Sequence, residues 1–165
     1  MNSSSFTEWK KLTEKEREFF VGENYLPLHQ NIAERIGLLK GSPARELSKE
    51  LLRGSPIKDQ SSPCCELSIV TNDAWGDEKE TSRIRQWLYD LGIPFSKQVH
   101  LIYDHGKIVR TDWKIFVKYW DAFSWSVGLA MLVVDSSKQW VLEVNHEDVI
   151  NYYAKGNKHI TNAST

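Results

Sequence analysis

The densest set of ionisable side chains in the sequence is His146-Glu147-Asp148, with Glu143 three residues upstream of the imidazole. Imidazole beside carboxylates has the makings of a general acid–base site or a divalent-metal site. The spacing is not that of HExxH, and on a strand only residues 146 and 148 share a face. The same residues equally compose a polar turn between strands. His100, Asp104 and His105 form a second set. Asp104-His105-Gly106 has the composition of a hairpin turn. His100 alternates with apolar neighbours, which turns it to the other side of its strand, towards solvent. Cys64 and Cys65 are adjacent. A disulfide between them would strain the backbone, so reduced thiols are expected. No CxxC pair occurs, and the pattern implies neither a metal nor a cofactor. Phosphate-cradling GxxxxGK[ST] and GxGxxG loops are missing, and Ser68, Ser82 and Ser124 stand in no nucleophile elbow.

Binding chemistry is easier to find. The stretch TNDAWGDEKE, residues 71–80, sets Trp75 among Asp73, Asp77, Glu78 and Glu80, just before a helix. Two readings account for it. Asp77 can cap the helix while the other acids complement its dipole. Alternatively, Trp75 is an aromatic anchor in an acidic rim that docks a basic partner. A second aromatic loop, Phe123-Ser124-Trp125-Ser126, follows the next helix, and Trp125 falls off the apolar stripe of that helix, where partial exposure is expected. The candidate partner-binding residues are therefore Trp75, Asp73, Asp77, Glu78 and Trp125.

The element expected to dominate the core is TDWKIFVKYWDAFSW, residues 111–125, where Trp113, Phe116, Val117, Trp120 and Phe123 recur at helical spacing. Thr111 or Asp112 caps it. Before it, Val99, Leu101 and Tyr103 alternate towards the turn at 104–106, and 107–110 returns as a hairpin arm. After it, 129–135 and 139–145 form a second hairpin, and 149–153 adds a strand. Upstream, 65–70 alternates as a strand, and Ile84, Trp87, Leu88 and Leu91 mark a helix closed by Gly92. The first 54 residues read as helical. Thr13-Glu14-Lys15-Glu16 has capping-box spacing and precedes Phe19 and Phe20. A second helix begins at Pro27 and carries Leu28, Ile32, Ile36 and Leu39. A third runs from Ser42-Pro43 through Leu51, forming a corner or hairpin with the second. The expected architecture is α+β: a mostly antiparallel sheet of four to six strands with helices over one face and an N-terminal helical segment. Residues 1–155 form one domain, with a helical subregion at 1–54 and a sheet-bearing subregion at 64–155. Residues 156–165 are a polar tail.

Composition limits the function classes. With 165 residues, a core can form without disulfides or metal. The net charge of −1 argues against a general nucleic-acid binder, which needs a basic surplus to neutralise phosphates. No apolar run approaches the length of a membrane span, and MNSSSFTEWKK lacks the order of a signal peptide, so a cytoplasmic protein is expected. Seven tryptophans, a high number, supply both core mass and candidate hot spots. The run WKIFVKYWDAF, followed by an apolar strand, a polar turn and WVLEVNHED, resembles the C-terminal half of small bacterial proteins of the polymorphic-toxin immunity type, over residues 98–155. The resemblance implies a cytoplasmic protein that binds and blocks a toxin domain, often a basic nuclease, and it carries over no catalytic residue. Two classes stand: a non-catalytic binding protein, or a small enzyme with a site around His146, Glu147 and Asp148 or at His100 and Asp104.

Overall fold

Eight strands form one antiparallel sheet, and five helices among the described residues cover parts of both its faces. The computed structural model describes residues 8–15, 29–58, 64–72, 74–104, 106–125, 130–145 and 147–156. In chain order the elements are β1 (Lys10–Lys11), α1 (Gln30–Ala33), β2 (Gly37–Lys40), α2 (Ser42–Leu52), β3 (Cys64–Val70) and α3 (Glu78–Asp90). Then come β4 (Gln98–Tyr103), β5 (Lys107–Asp112), α4 (Trp113–Lys118), α5 (Trp120–Ser124), β6 (Ala130–Val134), β7 (Trp140–Asn145) and β8 (Val149–Lys155). The spatial order is β1-β2-β5-β4-β6-β7-β8-β3.

Strand alternation sorts the side chains into two cores. On one face Leu101, Val109, Val133, Leu142, Val144 and Ile150 pack beneath α3, α4 and α5. On the other, Ile102, Ile108, Val134 and Val141 join Leu39 and the α2 residues Ala44 and Leu51 in a smaller cluster. Helices therefore lie on both faces, not on one. Ile102, Ile108 and Val134 are apolar on the strand positions opposite the main core, and such a face must be covered.

The main core follows the expected stripe. Trp113, Phe116, Trp120 and Phe123 are completely buried, and the Trp113 ring meets Trp140 edge-on at 5.7 Å. The stripe is carried by two helices rather than one. Tyr119 adopts φ −116° and ψ 26°, which ends α4 and starts α5. Its N–H donates to Ile115 O at 3.0 Å and its carbonyl accepts from Phe123 N at 3.0 Å, so the backbone bonds pass through the bend. The helix starts directly where β5 stops. Trp113 N donates to Lys97 O (2.8 Å) and Lys114 N to Phe95 O (3.1 Å). Ile115 N donates to Asp112 Oδ1 (3.1 Å), so the first-turn donors are all taken. On α5, the carbonyl of Phe123 accepts from the Tyr103 hydroxyl at 2.7 Å, tying the helix to β4.

The first third departs furthest from its expected helices. Only Gln30–Ala33 and Ser42–Leu52 are complete helices there, and residues 37–40 between them form a strand paired with β5. Ile32, Ile36 and Leu39 fit a helical period, but Leu38 and Leu39 are buried on opposite faces of the sheet. A short apolar run fits either period, and tertiary pairing decides. With β1 and β2 added at this rim, the strand count exceeds the expected four to six. Glu14 and Lys15, inside the expected capping box, are helical. Glu16, Phe19, Phe20, Pro27, Leu28 and the tail at 157–165 lie outside the described residues. No helix among the described residues is long and apolar enough to cross a membrane.

Candidate functional site

The loop between β3 and α3 is fastened at both ends. Thr71 N donates to Asp148 O (2.8 Å) in the β7–β8 turn, and Asn72 takes a left-handed conformation at φ 49°. Ala74 is fully buried, and its carbonyl accepts from Thr81 Oγ1 at 2.6 Å. Asp77 then caps α3, accepting from Lys79 N (2.9 Å) and Glu80 N (3.2 Å). The capping reading of Asp77 is thus what the geometry displays. Glu78 pairs with Arg85 at 3.1 Å, and Glu80 with Arg83 at 2.9 Å. Such exposed pairs add little stability. They do cut the net negative charge that this rim presents.

Trp75 is half-buried. Its Nε1–H donates to Ser124 Oγ (3.1 Å), and its ring lies 5.6 Å from that of Trp120. The next residue after Ser124 is Trp125, 69% exposed at the end of α5. Two segments 49 residues apart are therefore joined through Ser124, the residue before Trp125. Trp75 is the seated member and Trp125 the open one. Asp73 lies outside the described residues.

Of the residues considered for acid–base chemistry, His146 and His105 lie outside the described residues. Glu147 N donates to Asn145 Oδ1 (3.0 Å), and Asp148 is left-handed at φ 56°. These are features of a tight β7–β8 turn. Glu143 accepts from Asn151 Nδ2 (3.2 Å) and Tyr153 OH (3.4 Å) on the sheet face. Among the described residues no group of three or more His, Cys, Asp or Glu could hold a metal ion. Asp104 is exposed, whereas His100 is buried. His100 does face away from Val99 and Leu101, as alternation requires, but that side is covered and not solvent. The Trp9 ring lies 5.7 Å from the imidazole. Burial, and secondarily Arg110, lowers the His100 pKa from 6.5 to about 4, against an opposing pull from Asp135.

Three buried or half-buried residues were not anticipated: Trp9, Arg110 and Asp135. Asp135 accepts from Ser137 N (2.9 Å) and Trp140 Nε1 (3.1 Å) and pairs with Lys97 at 3.3 Å. Its signal was legible, because Asp-Ser-Ser between two strands is the composition of an Asx turn. Arg110 and Trp9 gave none. A charged residue on a hairpin arm reads as solvent-facing until the strand beside it is known. Compared with protein-family models, curated proteins and solved structures, the chain matches none.

Proposed function

We propose that this chain is a non-catalytic protein-binding module whose contact surface is the rim around Trp125 and Trp75. More particularly, it is an immunity-type protein that neutralises a bacterial toxin domain by masking its active site in the cytoplasm. The observation that carries the reading is the exposed side chain of Trp125, one residue beyond the Ser124 hydroxyl that accepts from the half-buried Trp75, with Asp77, Glu78 and Asp121 at the starts of α3 and α5. Leaving so large an apolar side chain in water forgoes about 2–3 kcal/mol of burial, which a partner recovers. Aromatic anchors of this kind hold a large share of interface energy, and surrounding acids steer a basic partner. The resemblance over residues 98–155 to immunity-type proteins supports the same class.

The partner to test is the C-terminal domain of any large toxin whose gene neighbours that of this chain. Trp125→Ala is expected to weaken that complex by roughly 2 kcal/mol, about 30-fold in Kd, without moving the melting temperature. Trp75→Ala should lower both affinity and stability, since this ring is also packed on Trp120. Glu78→Lys should chiefly slow association, by a factor that shrinks as salt rises. Full-strength binding by Trp125→Ala, or no complex with the toxin domain, would overturn the proposal.

A further inference from the structure

On the face of the sheet opposite that rim's core, one rung of the register runs Lys11, Gly37, Arg110, His100 and Val134 across β1, β2, β5, β4 and β6. Gly37 leaves a gap in this rung, and Trp9 fills it. A Cβ at Gly37 would stand 3.2 Å from Trp9 Cβ, closer than packed side chains allow without a shift. The indole therefore lies on bare backbone, between the β1 lysines and Arg110, whose guanidinium carbon sits 4.5 Å over the ring. Beside them opens a cleft of about 410 Å³, lined by Trp9, Lys10, Lys11, Arg35, Gln98 and Arg110 among others.

The nearby carboxylates are engaged. Asp112 pairs with Arg35 and caps Ile115. Glu34 accepts from the Gln30 amide at 2.9 Å. Asp135 holds Lys97 and the Trp140 indole. Among the described residues, Arg110, Lys10 and Lys11 have no carboxylate partner.

We propose that this cleft is an oxyanion site in which the Arg110 guanidinium, held over the Trp9 ring and on the same rung of the sheet as Lys11, receives the carboxylate or phosphate group of a small molecule. The ring contact restrains the guanidinium, and its paired N–H groups match two oxygens of one such group. Lys11 contributes charge on the same face, and Gln98 and Ser96 offer neutral donors at the wall. The site is separate from the Trp125 rim and stands whether or not a protein docks there.

The test is a nuclear magnetic resonance titration of the full chain with inorganic phosphate and, separately, citrate, at ionic strength held constant with sodium chloride. The Arg110 side-chain N–H and the Gly37 amide should shift to saturation. Arg110→Gln should weaken binding about tenfold or more, as expected for losing a charge-assisted pair. Lys11→Gln, exposed on β1, should weaken it by a smaller factor with unchanged melting, and it decides the matter if Arg110→Gln does not fold. Saturation by phosphate alone identifies a phosphate ligand, and saturation by citrate alone a carboxylate. Shifts that never saturate, or saturable binding that neither variant weakens, would overturn the site.

Discussion

Trp120→Ala should lower the stability of the fold by about 3–5 kcal/mol, the cost of emptying a fully buried tryptophan site. More than volume is lost. The indole Nε1–H donates to Thr81 O at 3.3 Å, linking α5 to the first turn of α3. Its ring also seats Trp75. The melting temperature should fall by roughly 10 °C in a chain of this size, and the substitution should loosen the 71–78 loop along with the helix. Trp120→Phe, which keeps an aromatic ring in the site and leaves the Thr81 carbonyl its bond within α3, should cost clearly less. A Trp120→Ala melt within a degree or two of the parent would remove this residue from its central place.

The second large effect is a dependence on pH carried by His100. Its folded-state pKa is about 4, against 6.5 for the free side chain. Above 6.5 the imidazole is neutral in both states and contributes no pH dependence. As pH falls from 6.5 towards 4, the unfolded chain binds a proton that the folded protein refuses, so stability declines across that window. The full span is about 3 kcal/mol, at 1.36 kcal/mol for each unit of displacement. Carboxylates also titrate at its lower end, so the informative quantity is the difference between the parent and His100→Gln. Denaturant melts of both across the window should diverge with a slope of one proton. A constant difference would mean that His100 takes up its proton as readily folded as unfolded.

What the sequence revealed follows from which forces are local. The helix at Glu78–Asp90, with Asp77 as its cap, is written in a 3.6-residue stripe and one side chain. The β4–β5 and β6–β7 hairpins are written in alternation and turn residues. Strand β2 was hidden because Ile36, Leu38 and Leu39 satisfy two periods, and only the unpaired edge of β5 selects between them. The two-residue β1 has no period at all. Tyr119 breaks the central helix while leaving the spacing of its aromatics unchanged, so no sequence pattern betrays the bend. At the candidate rim, Trp75 and Trp125 were each recognisable as aromatic loop residues. Their meeting depends on a single Trp75–Ser124 hydrogen bond between distant segments. Arg110 was invisible as a cleft residue because its neighbour Trp9 arrives through Gly37, on a strand that the sequence reads as helix.

The strand order also separates the chain in time. Strands β5, β4, β6, β7 and β8 are sheet neighbours drawn from one stretch, residues 98–155, whereas β2 and β3 join the two rims by pairings such as Leu38 with Val109 and Leu67 with Tyr152. Closing the long loops that those rim pairings need costs more chain entropy than closing hairpins. The five-stranded block should therefore be largely formed in the rate-limiting transition state, with the rims arriving on the downhill side. Leu67→Ala should then speed unfolding and leave the folding rate nearly untouched, with φ below about 0.3, while Leu101→Ala slows folding with φ above about 0.5. Chevron plots of the two variants measure this ordering. It means that the edge strands govern how long the native state lasts, and the five-stranded block governs how quickly it is reached.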